Sequence, residues 1–204
     1  MHPHTNLRMI ALNPFTYNTY NTYIWGNSTD PQGDFAWLWQ TLMVAEANNE
    51  NVIILAHIAP STFDTERNWN LYYNALIDRY SNIIKLQVSG HSHADYLQLI
   101  KGISDPSQVV GLSFVMPQLG IRTNTHPSFR VYDLQSDNYQ FVDYHQYRLY
   151  IQEANRDIPK WRLAYTFKDL YHLDNTTFES IARSIENINV IMINRMIKVL
   201  QIRY

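Results

Sequence analysis

An α/β fold is predicted for this chain by two apolar strand candidates, residues 52–56 and 83–88, each preceded by a segment of helical periodicity. Both strands run into histidine. His57 follows the first, and Gly90-His91-Ser92-His93 follows the second. At 204 residues with 46% hydrophobic content, the chain can bury a sizeable core.

Met9-Ile10-Ala11-Leu12 is a short strand candidate, and the Tyr/Asn/Thr-rich stretch from there to Trp25 is expected to pair as a hairpin. Asp30-Pro31 then starts a helix, with Asp30 as N-cap and Pro31 at the first helical position. Phe35, Leu38, Trp39, Leu42, Met43 and Ala45 fall near a 3.6-residue period and give it an apolar face. The run Val52-Ile53-Ile54-Leu55-Ala56 is continuous, as in a strand covered on both faces. Residues 58–68 form a polar loop, and 69–80 a second helix with Tyr72, Tyr73, Leu76 and Ile77 on one side. After His93 the character turns to β, at 96–100, 109–116, 129–134 and 139–147, with Asp105-Pro106-Ser107 and Ser136-Asp137-Asn138 as turns. From Arg148 onward the chain reads as helical, broken at Ile158-Pro159, with a last helix from about Asp174 into the tail.

Composition narrows the partners. The formal charge of −2 offers no basic footprint for nucleic acid and no polybasic membrane patch. With no cysteine, any metal must be held by His, Asp, Glu or Asn. The first residues contain no apolar stretch of signal-peptide type. The apolar tail segment 188–200 is too short and too polar to span a bilayer, so no transmembrane segment is expected. Asn27-Ser28-Thr29 and Asn175-Thr176-Thr177 are acceptor sequons, which matter only in a secretory compartment.

Neighbouring strand ends in an α/β sheet share one rim, where ligands bind. His57, His91 and His93 are therefore candidate metal ligands that converge from separate loops. Gly90 is expected to let the backbone approach that site without a Cβ in the way. Imidazoles two residues apart can face different ions of a two-metal centre, which activates water and clamps a phosphoryl group. Asp95 is placed to accept the second ring N–H of a neighbouring histidine, with an ordinary turn carboxylate as the competing reading. His126 and His145 lack partner spacing, and His2, His4 and His172 read as solvated.

The ordered string Asn27-Ser28-Thr29-Asp30-Pro31, Trp37-Leu38, Ala56-His57-Ile58-Ala59-Pro60, Gly90-His91-Ser92-His93-Ala94-Asp95 and Pro127-Ser128-Phe129-Arg130-Val131-Tyr132 resembles the acid sphingomyelinase-like phosphodiesterases. These belong to the calcineurin-like metallophosphoesterases. Val142-Asp143-Tyr144 with Tyr147, and Pro159-Lys160-Trp161 with Tyr165, extend the match. The resemblance implies part of a four-layer α/β/β/α metallophosphoesterase sandwich with a helical C-terminal extension. Residues 1–147 would be the C-terminal half of the catalytic domain and 148–204 the helical C-terminal region.

The resemblance also implies that His57 and His91 ligate one zinc and His93 the other, and it sets Phe129 near the substrate groove. It implies a secreted or lysosomal glycoprotein, with Asn27 and Asn175 as glycosylation sites, acting on a phosphodiester such as a sphingolipid at a membrane surface. The family's other ligands come from Asp-x-His, Gly-Asp and Asn-His motifs. Asp143-Tyr144-His145, Gly33-Asp34 and Gly26-Asn27 copy their spelling at the wrong places. Two glycines of the family pattern are replaced, by Ser61 and Ser128. The expectation is a fragment that carries part of a zinc site and hydrolyses phosphodiesters slowly or not at all alone. A nucleotide phosphodiesterase and a non-catalytic module of the same fold are the alternatives. Oligomeric state and metal identity stay open.

Overall fold

The structure, a computed structural model, describes residues 6–26, 30–121 and 125–187. It is a mixed α/β protein that divides into two compact units, Met1–His91 with Leu97–Val115, and Ser92–Tyr96 with Met116–Tyr204.

The first unit is built on a five-stranded sheet. Its strands are β1 (Leu7–Leu12), β2 (Asn51–Ala56), β3 (Ile84–Ser89), β4 (Tyr96–Lys101) and β5 (Val109–Val115), in spatial order β1-β2-β3-β5-β4. β1, β2, β3 and β5 run parallel. Parallel neighbours need crossovers, and two helices supply them: α1 (Asp34–Ala47) and α2 (Arg67–Arg79). Ile10 pairs with Ile54 and Arg8 with Val52, so period-two alternation puts Ile10, Leu12, Val52 and Ile54 on one face. There they join Leu38, Leu42 and Ala45 of α1 and Trp69, Tyr73, Leu76 and Ile77 of α2 in one core.

Two sequence expectations change here. The helix does not start at Asp30. Residues 30–33 make a turn closed by the Gly33 N–H on the Asp30 carbonyl, and Gly33 takes a left-handed φ of 75° before α1 begins. Asp30 still caps the first turn from outside, accepting the N–H groups of Phe35 at 2.9 Å and Ala36 at 3.1 Å. The stretch before Trp25 is no hairpin but two short 3-10 helices, Pro14–Thr16 and Thr22–Gly26. The cause is its Tyr-Asn-Thr repetition. Asn13, Asn18 and Asn21 each accept the backbone N–H two residues on, a local bond that competes with strand pairing.

The second unit centres on an antiparallel sheet of β6 (Ser128–Leu134), β7 (Phe141–Leu149) and β8 (Trp161–Thr166), in that order. The stretch beyond Arg148 is therefore not wholly helical. Trp161-Arg162-Leu163-Ala164-Tyr165 alternates at period two, and pairing with β7 makes it a strand. Around it lie α3 (Ile151–Ala154), α4 (Phe167–Tyr171) and α5 (Phe178–Glu186). Phe141, Tyr144, Phe167 and Tyr171 pack ring against ring beneath the sheet. Among the described residues, no helix is long and apolar enough to cross a membrane.

Candidate functional site at the β2 and β3 strand ends

His57 leaves the end of β2 and His91 the end of β3, which are hydrogen-bonded parallel neighbours. The Gly90 N–H donates to the His57 carbonyl at 3.0 Å, which ties the two strand ends together. The two imidazoles meet edge to face with ring centroids 5.3 Å apart. The strand-end juxtaposition expected from the sequence thus exists for this pair.

Gly90 is not there for space. A Cβ built on it sits 3.8 Å from the His57 carbonyl oxygen, an ordinary contact, and its φ lies outside the left-handed region. The unusual backbone belongs to the histidines themselves, His91 at φ 68° and His93 at φ 60°. His93 lies in the second unit, along with Asp95.

The carboxylate facing the His91 ring is Asp64, which the sequence reading passed over. Its Oδ2 lies 2.8 Å from His91 Nε2, and its side chain is 2% exposed. Its Oδ1 accepts from the Thr62 hydroxyl at 2.7 Å. A carboxylate on Nε2 favours the tautomer with its proton there and leaves Nδ1 with the lone pair. The loop that carries Asp64 is fastened by Tyr17 at both ends. The Tyr17 hydroxyl donates to the Ile58 carbonyl at 3.0 Å, and its own carbonyl accepts the Glu66 N–H at 2.7 Å. Tyr17 stacks on Trp69 at 4.0 Å, and burial pushes its phenol well above the ordinary tyrosine range. Ser61 keeps a left-handed φ of 65° despite its Cβ. Asn70 accepts its N–H at 2.9 Å, and Asn74 accepts its hydroxyl proton at 3.2 Å.

Asp95, the other carboxylate singled out from sequence, has different company. Its Oδ2 accepts from Arg130 Nη2 at 2.6 Å and from the Tyr165 hydroxyl. Arg130 Nε donates to Gln146 at 2.8 Å, and the guanidinium lies 3.6 Å over the Tyr144 ring. A cation so fully enclosed by an anion and a π face is what draws Asp95 toward β6. Phe129 stacks on Tyr147 at 4.9 Å and meets Trp161 edge-on at 4.9 Å.

The remaining candidates have local duties. His126 Nδ1 accepts the Ile151 N–H at 3.3 Å, and burial lowers its pKa. His145 pairs with Asp133 at 2.8 Å. Asp143 accepts the N–H groups of Tyr144 and Lys168. Asn175 is exposed, and its Oδ1 accepts from the N–H and hydroxyl of Thr177. Asn27 lies outside the described residues, as do His2 and His4.

Among the described residues, no three His, Asp or Glu groups gather closely enough to hold an ion. Asp64 faces a histidine nitrogen rather than a centre shared with His57.

Comparison with known proteins agrees with the motif pattern. The family of the acid sphingomyelin phosphodiesterase C-terminal region matches residues 107–199. A sphingomyelin phosphodiesterase from Homo sapiens is 31% identical over 180 residues, covering 85% of this chain and 28% of that protein. Sphingomyelin phosphodiesterase B from Dictyostelium discoideum is 29% identical, covering 91% of this chain and 30% of its own length. The cyclic GMP-AMP phosphodiesterase SMPDL3A from Homo sapiens is 32% identical, covering 86% of this chain and 41% of its own length. The chain thus spans less than half the length of each of these relatives. Its histidine rim, motif order and relatives together make the chain an acid sphingomyelinase-like protein.

Proposed function

We propose that the chain forms the C-terminal part of a phosphoric-diester hydrolase of the sphingomyelin phosphodiesterase type. On this reading its strands and helices are part of a four-layer α/β/β/α sandwich. The complete protein cleaves sphingomyelin, at a membrane surface, to ceramide and phosphocholine. It is a zinc-dependent, secreted or lysosomal glycoprotein, modified at Asn27 and Asn175. The observation that carries the reading is the His57–His91 pair at adjacent parallel strand ends, in a chain similar to sphingomyelin phosphodiesterases.

Within this chain the derivable roles are positional. The β2–β3 ladder sets the spacing of His57 and His91, Asp64 orients the His91 ring, and Tyr17 holds the loop between them. Because the family's Asp-x-His, Gly-Asp and Asn-His ligand motifs have no counterpart at the matching places in this sequence, the 204-residue chain alone hydrolyses phosphodiesters slowly or not at all. The test is release of phosphocholine from sphingomyelin vesicles by the chain in zinc-containing buffer. Turnover that is rapid and lost on His91→Ala overturns the claim of a partial site. A second substrate class is favoured by the cyclic GMP-AMP phosphodiesterase relative, which matches at 32% identity. Assaying the longest form of the protein on sphingomyelin and on a cyclic dinucleotide separates the two. No hydrolysis of either by a form bearing all the family motifs supports a non-catalytic module.

A further inference from the structure

Under α2 the first unit contains a recess of about 310 Å³. Its residues come from the 60–61 turn, α2, β3, β4 and β5, and its size is at the low end of small-molecule clefts, roughly 300 Å³. The floor is polar where the strands are otherwise apolar. Gln87 on β3 and Ser113 on β5 are register partners, so their side chains stand side by side on the face that α2 covers. Each residue is 3% exposed, and neither Gln87 Nε2 nor Ser113 Oγ has a hydrogen-bond partner.

The Tyr73 hydroxyl donates to Gln87 Oε1 at 2.7 Å. The amide NH₂ is therefore left as the unpaired end. Gly111 provides its room: a Cβ there would meet Gln87 Nε2 at 3.2 Å and Ile77 Cγ2 at 3.0 Å. Two unpaired polar groups on one buried floor are costly unless something pairs them.

The lining also has a sign. Lys101 stands in the wall, Asn74 adds an amide, and no Asp or Glu lines the recess. Donors without competing carboxylates are complementary to an acceptor-rich anion. We propose that this recess is a binding site for a small oxyanion-bearing ligand, a phosphate or a carboxylate group, held by the Gln87 amide, the Ser113 hydroxyl and the Lys101 ammonium.

The experiment uses the full chain, melted in sodium phosphate, sodium succinate or sodium chloride at matched ionic strength. Binding is then quantified by titration calorimetry. A saturable rise in melting temperature is expected with phosphate or succinate but not with chloride, half-maximal at about 1 mM or below. The two anions tell a phosphate site from a carboxylate site. Ser113→Ala and Lys101→Ala should each weaken binding by about fivefold, the loss of one hydrogen bond or charge. Lys101 is exposed, so its variant keeps the fold and the test survives a damaged Ser113 variant. His91→Ala should leave the response unchanged, which separates the recess from the rim. The proposal is overturned if neither anion binds, if both recess variants bind like the parent, or if a crystal structure grown with the anion shows only water on Gln87 and Ser113.

Discussion

Asp64 and His91 are 27 residues apart in the chain and 2.8 Å apart in space. No spacing rule links them, because their meeting depends on β2 and β3 being adjacent and on Tyr17 fastening the loop. That is why His57 and His91 were legible from the strand-end pattern while Asp64 was not. Asp95 was legible as a site carboxylate, but its ion pair with Arg130 rests on a contact that no local pattern encodes. Two expected outcomes belong at this scale. Arg130 is 1% exposed, and Arg130→Ala would leave Asp95 buried without its cation, costing about 3–5 kcal/mol in urea denaturation. Gly90→Ala should change stability by no more than about 0.5 kcal/mol by the same measurement, since the added methyl meets only an ordinary contact.

At the scale of elements, strands and helices with strong periodicity emerged close to where the sequence placed them. α2, β2, β3, β5 and β6 follow the apolar patterns within a residue or two. The misses have specific causes. The Tyr-Asn-Thr stretch has strand-like composition, yet asparagine side chains take its backbone N–H groups locally. β8 hides in a segment with helical neighbours, and only pairing with β7 reveals it. The last helix among the described residues begins at Phe178 rather than near Asp174, because Thr177 takes the N-cap and accepts the Ser180 N–H at 3.2 Å, and the tail from residue 188 lies outside the described residues. Thr177→Ala should therefore cost about 1 kcal/mol, read as a lowered denaturation midpoint and reduced helical circular dichroism.

For the whole molecule, the tyrosines make stability depend on alkaline pH. Burial pushes Tyr132 and Tyr171 each up to about 12, whereas unfolded tyrosine titrates near 10. Between those values the folded chain binds more protons than the unfolded one, so stability falls as pH rises. The contribution is whole below about pH 10 and is lost as pH climbs through about 12. Denaturation midpoints measured across that window should decline, and absorbance titration should show exposed tyrosines ionising first. A flat midpoint would contradict the buried phenols. β1 gives a second property of the whole chain. It ends the spatial order of the sheet, and Met9 on it is largely exposed. A terminal strand of this kind is an open template for one more. The chain is therefore expected to behave as an unfinished lattice, growing heavier with concentration in sedimentation velocity, with Met9→Lys halting the growth by placing a charge where the next row would be laid.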